Sequence, residues 1–283
     1  MAKTTETEEV KDLSRVIASI NRKAGRKVIG KMNTMTDLNV ERISTGIKVL
    51  DDALGGGFPT RRITEIYGIP SSGKSLISML MVAEAQKQGK KCVLIDVEDA
   101  YDPAFAEKFG VNNEELIVAN AFVGEEIINL INTLLEARPD VIIVDSIAAM
   151  VPNDEMVEED SAKQHMTLKA RLLSKAIPKI NALNKQTSII FINQIRSTLA
   201  MYGAPTTTPG GNAIGFYSAI RLEVKSNNSD KIYEGSKKED PIGQIINFRV
   251  IKNKTFAPGK QGSFKFFYDT CEVVEPGKRR KAK

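Results

Sequence analysis

The sequence predicts an α/β fold in which a mostly parallel central sheet is flanked by helices. Two observations indicate this class. From residue 63 onward, short apolar runs alternate with segments of helical periodicity, as in strands joined by crossover helices. The first run, 63–67, and the helical segment 76–88 enclose a glycine-rich loop of the kind that binds phosphate groups.

The order of the elements follows from the same alternation. Further apolar runs predict strands over 91–95, 116–119, 141–144 and 188–192, with helices near 74–89, 103–109, 124–137 and 165–185. After about residue 214 the pattern changes to strands and polar turns, and antiparallel strands are expected over 220–225, 244–251 and 263–268. The polar connection 226–240 predicts a surface loop or hairpin.

An amphipathic helix is predicted before the core. Val10, Leu13, Ile17 and Ile20 form one apolar stripe at helical spacing. Such a stripe packs either on a neighbouring subunit or on its own domain. We therefore expect an arm for subunit packing over 1–32, a core over 33–270 and a basic tail over 271–283.

Net charge, cysteine and histidine content, and the lengths of the apolar segments limit the functions that this protein can have. The net charge of +5 comes from 40 Lys and Arg against 35 Asp and Glu, which permits nucleic-acid binding but does not require it. Cys92, Cys271 and the one histidine, His165, cannot form a zinc cluster, and a reduced, cytoplasmic setting is expected. Because the N-terminus is acidic and polar, no signal peptide is expected, and no apolar stretch approaches the roughly 18 residues of a membrane span.

The glycine-rich loop predicts binding of a nucleoside triphosphate. Its glycines let the backbone curl so that amides and a helix N-terminus converge on phosphate oxygens. Lys74 is expected to reach the outer phosphates, and the hydroxyl of Ser75 to ligate Mg²⁺. The residues of this stretch assigned to the nucleotide are Gly68, Ser71, Ser72, Gly73, Lys74, Ser75 and Leu76.

Three more side chains stand at predicted carboxyl ends of strands, where open α/β sheets bind ligands. Asp145 is expected to hold a magnesium-bound water opposite Ser75, with a helix cap as the alternative. Glu98 is favoured over Asp96 to polarise the attacking water, and Asp96 is expected to be a structural acceptor. Gln194 is expected to donate to the γ-phosphate and to report its loss, with a plain turn residue as the alternative.

Two long connections are candidates for nucleic-acid contact. The segment 196–212 shows no strong period and exceeds the length at which a structureless loop is usually functional. Its Gly-Gly-Asn amides can reach phosphates, and Leu199 or Met201 can insert against bases. The second connection, 153–164, also looks structureless but is acidic, so contacts are expected beyond it, including Lys169. The DNA-binding candidates are Met166, Arg171, Arg196, Leu199, Gly210, Gly211 and Asn212.

Taken together, these motifs resemble the bacterial RecA recombinases, in the same order over roughly residues 8–268. The resemblance rests on the phosphate loop and on the stretches 41–46 with 50–51, 95–98 with 102–103, 144–146, 165–166, 191–196, 210–213 and 252–254. It implies a RecA-like ATPase core that uses ATP and Mg²⁺ and assembles into a right-handed filament on single-stranded DNA. It also implies DNA-stimulated ATP hydrolysis and strand exchange with a homologous double-stranded DNA.

The resemblance also assigns roles. Glu98 matches the catalytic glutamate, Gln194 the nucleotide switch, 153–164 and 197–212 the two DNA loops, and Arg171 a DNA-contacting arginine. Lys252 and Lys254 match lysines that reach the γ-phosphate from a neighbouring subunit, and Asp102 and Phe105 match positions at the nucleotide. The N-terminal helix matches the oligomerisation arm, which favours subunit packing over docking on its own domain.

Several positions depart from the family pattern. Phe105 stands where the family usually has a tyrosine, Asp99 replaces a histidine, and the first DNA loop lacks its customary glycines. The sequence ends soon after Tyr268, where family members continue into a C-terminal domain, which suggests a reduced version of the kind a virus or mobile element would carry. Two alternatives remain: a filament protein that coats single-stranded DNA in a regulatory role, and an ATPase acting on another polymer.

Overall fold

The computed structural model describes residues 12–31, 40–153, 162–197, 206–207, 209–234 and 240–278, without the side chains of 162–166, 196–197 and 206–207. The chain divides into two compact units, Met1–Val40 and Glu41–Lys283.

The first unit contains one described helix, α1 (Leu13–Lys23). Its N-terminus is capped by Asp12, whose carboxylate accepts a 3.1 Å hydrogen bond from the amide of Ser14. No residue of α1 is buried, and Leu13, a member of the predicted apolar stripe, is 69% exposed. The predicted helix is therefore present, and the side chain of Leu13 is exposed to solvent. Val10, the first residue of the predicted stripe, lies outside the described residues.

The second unit is built from strands and helices that alternate along most of its length. Its strands are β1 (Arg42–Ile43), β2 (Phe58–Pro59), β3 (Arg62–Gly68), β4 (Cys92–Asp96), β5 (Ile117–Asn120), β6 (Val141–Asp145), β7 (Ser188–Gln194), β8 (Arg196–Ser197), β9 (Thr206–Thr207), β10 (Ile220–Lys225), β11 (Lys231–Ile232), β12 (Gly243–Asn253), β13 (Gln261–Phe267) and β14 (Glu272–Val274). Its helices are α2 (Lys48–Leu54), α3 (Lys74–Lys87), α4 (Pro103–Lys108), α5 (Gly124–Ala137), α6 (Ala162–Leu183) and α7 (Ala213–Tyr217).

Ten of the described strands form one sheet. Its order is β14-β13-β12-β10-β3-β7-β6-β4-β5, with β11 paired to β12. Neighbours from β10 to β5 run parallel, and neighbours from β10 to β14 run antiparallel. The predicted fold class is confirmed, and each strand expected within the core is present.

The inner parallel strands β3, β4, β6 and β7 are buried on both faces, since successive side chains point to opposite sides of the sheet and both sets are covered. Ile142 of β6 packs in a cluster with Ile127 of α5 and Ile177 of α6. The next residue, Ile143, packs on the other face with Ile77 of α3. The helices thus cover both faces and leave the carboxyl ends of the strands as the accessible edge.

Two expectations about unstructured segments are wrong. Strands β8 and β9 pair antiparallel, so the segment 196–212 contains a short hairpin pairing. Helix α6 begins at Ala162, inside the connection that was expected to extend to residue 164. The strand pairing and the first turn of α6 both form where the side chains show no clear period. The pattern of apolar residues therefore did not predict them. Strand β14 also lies within the segment 271–283 that was assigned to the tail.

Among the helices in the described parts of the chain, none is both long and apolar enough to cross a membrane.

Candidate functional site

The phosphate loop joins the end of β3 to the start of α3, as predicted. Ser71 and Gly73 both have positive φ, +57° and +99°, so the left-handed turns fall on one serine and one glycine. Gly73 precedes the first helical residue, Lys74, and its carbonyl accepts the first helical bond from Ile77. The remaining amides of the first turn are therefore available for an anion.

Gly68 is required for a different reason from the one expected. Its φ is not positive, but a Cβ placed on it would lie 2.0 Å from the carbonyl oxygen of Val224 on the adjacent strand β10. Gly68 is buried behind the loop and does not line the cavity in front of it. Its contribution is close strand packing, and its carbonyl accepts a 3.1 Å hydrogen bond from the amide of Ile195.

Lys74 is folded back onto its own loop. Its ammonium donates a 2.7 Å hydrogen bond to the carbonyl oxygen of Ile69. Burial lowers the pKa of Lys74, and the carboxylates of Asp145 and Glu98 oppose that shift. The amino group of Lys74 therefore lies within the electrostatic influence of two carboxylates beside the loop.

Asp145 ends β6 and faces Ser75. Burial raises the pKa of Asp145 to about 6, with a further increase from the nearby Glu98, whereas a hydrogen bond from Ser75 and the charge of Lys74 lower it. The backbone brings Glu98 close, because the amides of Val97 and Glu98 donate to the carbonyl oxygen of Asp145 at 2.7 and 3.3 Å. Two carboxylates and one ammonium group therefore share a small volume.

Glu98 is held by two side chains from other strand ends. Its Oε1 accepts a 2.9 Å hydrogen bond from Nε2 of Gln194 and a short one from the hydroxyl of Ser146. Asp96, by contrast, is buried and accepts from the amide of Tyr101 at 2.8 Å. The structure thus brings Glu98, Gln194 and Asp145 together and sets Asp96 deeper in the fold.

The residue before Gln194 points to the opposite side of β7 and enters a buried polar network. Asn193 is fully buried, and its Nδ2 donates to Glu65 at 3.0 Å and to the carbonyl oxygen of Pro209 at 3.1 Å. The other carboxylate oxygen of Glu65 accepts a 2.6 Å bond from Nε of Arg221. Pro209 immediately precedes the Gly-Gly-Asn turn. The end of β7 is therefore joined to Glu98 through Gln194 and to this turn through Asn193.

A cavity of ≈ 500 Å³ opens in front of the phosphate loop. The predicted nucleotide residues from Ser71 to Leu76, together with Glu98, Asp102, Phe105 and Asp145, line it. Sequence reasoning missed a second group of lining residues, because nothing in their local pattern marks them as ligand contacts. This group includes Tyr101, Phe109, Lys231, Gln244, Phe266 and Tyr268.

The aromatic side chains form one continuous wall of this cavity. Phe105 contacts Phe109 edge to face at a centroid distance of 4.6 Å, Phe109 lies 5.8 Å from Phe266, and Phe266 lies 5.8 Å from Tyr268. Phe105 is 45% exposed at the open end of the wall. A flat apolar group such as a nucleobase fits against rings arranged in this way.

Asp99 and Phe105, two of the departures from the family pattern, have clear structural positions. Asp99 lies in the left-handed region, with φ of +53°, and its carboxylate accepts a 2.7 Å bond from the side chain of Asn120. Asp102 caps α4 by accepting a 3.1 Å bond from the amide of Phe105, so it positions the aromatic residue as well as lining the cavity.

The residues present fit a nucleoside triphosphate with a magnesium ion. The hydroxyl of Ser72 is buried within the loop without a hydrogen-bond partner among the described residues, which is the state of a donor awaiting a ligand. A hydroxyl and a single carboxylate, from Ser75 and Asp145, are the protein ligands that a phosphate-bound magnesium ion needs. In the described parts of the chain no three acidic, Cys or His residues form a metal cluster.

The candidate DNA residues are described in part. Arg171 is exposed on α6, and a Cβ on Gly211 would lie 3.1 Å from that of Ala170, the adjacent residue. Gly210 is buried against Leu173 of the same helix, so only Gly211 and Asn212 present their backbone outward. Gly210 and Gly211 thus pack on the face of α6 that carries Ala170 and Leu173, and the exposed Arg171 follows Ala170 on the same helix. Leu199 and Met201 lie outside the described residues, as do the side chains of Met166 and Arg196.

Lys252 and Lys254 do not line the cavity of their own chain. The ammonium of Lys252 donates to the carbonyl oxygens of Gly215 and Phe216 at 2.8 Å each, and Lys254 lies 6.0 Å from the ring of Phe216. Burial lowers the pKa of Lys252, with a further decrease from Lys254. Both lysines stay a prediction for a site completed by another subunit.

Comparison with known proteins agrees with this geometry. The sequence model of the RecA N-terminal domain family matches residues 11–272. "Protein RecA" of Colwellia psychrerythraea is 42% identical over 281 residues, which cover 94% of this chain and 79% of that protein. "Protein RecA" of Marinobacter nauticus is 40% identical over 277 residues, with 94% and 78% covered. The chain therefore belongs to the RecA family.

Proposed function

We propose that this protein is an ATP-dependent DNA recombinase. It forms filaments on single-stranded DNA, hydrolyses ATP when DNA is bound, and pairs the strand with homologous duplex. The observation that carries this proposal is the contact between Glu98 and Gln194 beside the phosphate loop, because it puts a candidate base and a candidate phosphate sensor within one hydrogen bond of each other.

In the proposed reaction, Glu98 orients and polarises the attacking water. Its Oε1 accepts from the hydroxyl of Ser146, so we assign the water to Oε2. The water oxygen bonds to the γ-phosphorus while the bond to the β–γ bridging oxygen breaks, and Glu98 accepts the proton that the water loses. The products are ADP and inorganic phosphate.

Lys74 and the loop amides bind the phosphates. The ammonium of Lys74 leaves the carbonyl of Ile69 and moves to the outer phosphates, which offer it a full charge in place of a neutral acceptor. Ser75 and Asp145 would hold a magnesium ion, which would neutralise part of the phosphate charge when bound. The raised pKa of Asp145 favours this role, since an ion that binds there stabilises the ionised carboxylate.

Gln194 couples the nucleotide to DNA in this proposal. A γ-phosphate competes with Glu98 for the Nε2 donor of Gln194, and any shift at Gln194 is transmitted to Asn193 on the same strand. Asn193 holds the carbonyl of Pro209 directly before the Gly-Gly-Asn turn. Nucleotide binding can therefore alter the position of candidate DNA contacts through two hydrogen bonds joined by the backbone of residues 193 and 194.

DNA is proposed to contact the exposed Arg171 of α6 and the exposed backbone of Gly211 and Asn212. An exposed arginine and outward backbone amides contact phosphates without reading sequence, which suits a protein that must coat any single strand. The hydrogen-bond acceptors in such a site are the DNA phosphates. Because their contacts with a cationic side chain release counterions, the affinity for DNA falls as salt concentration rises.

Filament formation is supported by two open apolar surfaces. Strand β5 ends the sheet and exposes Ile117 at 55%, and Phe122 just after it is 54% exposed. Helix α1 leaves the apolar side chain of Leu13 open in its own unit. Sheet edges and apolar stripes of this kind are surfaces on which another copy of the chain can pack.

The proposal is tested by ATP hydrolysis with and without single-stranded DNA. We expect clear stimulation by single-stranded DNA and little by RNA or other polyanions at equal charge. Equal rates with every polymer, or with none, would contradict a DNA-dependent recombinase. Formation of joint molecules between a bound strand and homologous duplex then separates a recombinase from a protein that only coats single strands.

A further inference from the structure

We propose that Lys231 is a nucleotide-specificity residue that donates a hydrogen bond to a ring nitrogen of the purine base. This inference rests on the proposed function, since it assigns a further contact to the same ATP cavity. Neither the phosphate loop nor any other motif in the sequence points to this lysine, and it lies 157 residues beyond Lys74 in the chain.

Lys231 belongs to the aromatic part of the cavity. It lines the same opening as Phe105, Phe266 and Tyr268, whose rings belong to the continuous aromatic wall. It comes from β11, a two-residue strand that pairs Lys231 with Gln244 of β12. The preceding turn is fixed by a capping box between Asn227 and Asp230, so the backbone that carries Lys231 is well constrained.

The ammonium group is held in place by neutral acceptors. Its Nζ donates to the side-chain oxygen of Gln244 at 3.0 Å and to the hydroxyl of Tyr268 at 3.1 Å. Gln244 is buried, and its oxygen also accepts from Ser226 at 3.3 Å, which fixes the acceptor. Neither of the two partners carries a negative charge, so they orient the cation without neutralising it.

The position of the ammonium relative to Tyr268 leaves the ring available. The Nζ is 5.7 Å from the ring centroid but only 3.1 Å from the hydroxyl, so it lies beyond the hydroxyl and not over the ring face. A base that stacks on the aromatic wall would present its edge toward this cation. An ammonium has three N–H donors, and these two bonds use two of them.

The ligand that matches a cationic donor at the end of an aromatic wall is a purine. The adenine ring offers unprotonated nitrogens N1, N3 and N7 as acceptors in the plane of the base, and a charged donor strengthens such a bond. A triphosphate that lacks a base has no atom that can accept a hydrogen bond from Lys231 at this position. The proposal therefore separates Lys231 from Lys74, which acts on the phosphates alone.

The test is a cycle that combines a protein change with a ligand change. Binding of ATP, of its 1-, 3- and 7-deaza analogues and of its 2′- and 3′-deoxy analogues is measured by calorimetry on the full chain and on Lys231→Met, which keeps the aliphatic stem. We expect Lys231→Met to weaken ATP binding by about 10-fold, because a hydrogen bond from a charged group is lost. On the unaltered chain, one of the deaza analogues should bind about 10-fold more weakly than ATP. On Lys231→Met, the same analogue should bind less than about 2-fold more weakly than ATP, because the contact is already gone.

Two controls separate this contact from a structural effect. Inorganic tripolyphosphate should bind Lys231→Met and the unaltered chain equally, which a deformed cavity would not allow. Lys265→Met removes an exposed lysine on β13 that does not line the cavity and should leave all affinities unchanged. Lys231→Arg, which keeps a charged donor, should recover part of the ATP affinity.

The outcomes are distinct. Additive losses for all three deaza analogues, with no coupling to Lys231, would overturn the base contact while leaving ATP binding and the proposed function intact. Coupling only with 2′- or 3′-deoxy-ATP would move the contact to the ribose and overturn it equally. Failure of the unaltered chain to bind ATP would overturn both the contact and the proposed function.

Discussion

Gln194 and Glu98 are joined by a 2.9 Å hydrogen bond from Nε2 of the amide to Oε1 of the carboxylate, although 96 positions separate them in the chain. The residue proposed to sense the γ-phosphate thus restrains the residue proposed to orient the attacking water. ATP that captures the amide of Gln194 would at the same time change the surroundings of Glu98. Sensing and hydrolysis are then two consequences of one exchange of hydrogen-bond partners.

Glu98→Gln tests the chemical role directly. The variant keeps the shape of the side chain but loses the charge that polarises the water, so ATP hydrolysis should fall by roughly 100-fold or more while ATP and DNA still bind. Lys74→Ala is the matched comparison, because it should weaken nucleotide binding itself. Steady-state hydrolysis and a binding titration measure both, and near-normal turnover by Glu98→Gln would remove Glu98 from the mechanism.

Asn193→Ala tests the buried network behind Gln194. The change leaves an oxygen of Glu65 and the carbonyl of Pro209 without their donor, so the free energy of unfolding should fall by about 1–3 kcal/mol in a denaturant titration. ATP should also raise DNA affinity less in this variant than in the unaltered chain. Asn129→Ala, at an exposed position on α5, is the control and should change stability by less than about 0.5 kcal/mol. Equal effects of the two changes would remove Asn193 from the coupling.

The raised pKa of Asp145 predicts a pH dependence of magnesium-dependent nucleotide binding. Only the ionised carboxylate binds the ion, so as pH falls below about 6 the affinity should decrease by up to tenfold per unit. Asp145→Asn should bind more weakly and lose this part of the pH dependence, while the titration of ATP itself remains in both proteins. An identical pH profile for the two proteins would contradict the magnesium role.

Without ligand, the raised pKa of Asp145 makes the folded protein less stable as pH rises, which is opposite to its effect on magnesium binding. The folded-state pKa of about 6 exceeds the ordinary value of 3.8, so the folded protein binds this proton more tightly than the unfolded chain. The contribution to stability is therefore present below pH 3.8 and is lost as pH rises through about 6. Magnesium and nucleotide should offset that loss, which thermal unfolding with and without them can measure.

Lys252 and Lys254 are predicted to act on a nucleotide held by another subunit. Each alanine variant should bind ATP by itself but lose DNA-stimulated hydrolysis. Mixing either variant with an excess of Lys74→Ala subunits should restore part of the activity, because an intact phosphate loop can then meet intact lysines. The measurement is the hydrolysis rate against mixing ratio, and the absence of rescue in filaments verified to be mixed would count against a shared site.

Arg171→Ala should weaken binding of single-stranded DNA equally for all sequences. Loss of one phosphate contact reduces the slope of log affinity against log salt by about one unit. Fluorescence titrations with several homopolymers at four salt concentrations would show this. Lys175→Ala, further along α6, is the control. A change in sequence preference with an unchanged slope would mean that Arg171 contacts bases and not phosphates.

The sequence by itself determined the features that depend on local spacing. The alternation of apolar runs with helical segments was sufficient for the parallel part of the sheet, because strands buried on both faces must be apolar throughout. The phosphate loop was equally clear, since its turn and its helix N-terminus lie within a few residues of each other. The carboxyl-end positions of Glu98, Asp145 and Gln194 followed from the strands that precede them.

Only the tertiary structure decided which distant side chains meet. The hydrogen bond from Gln194 to Glu98, the position of Lys231 beside Tyr268 and the packing of Gly211 on Ala170 all join separate elements. Gly68 shows the same distinction, because its need for glycine comes from the neighbouring strand at Val224 and not from its own φ. Such contacts depend on strand order and helix packing, which are set by the burial of the whole core and leave no periodic signal near the residues concerned.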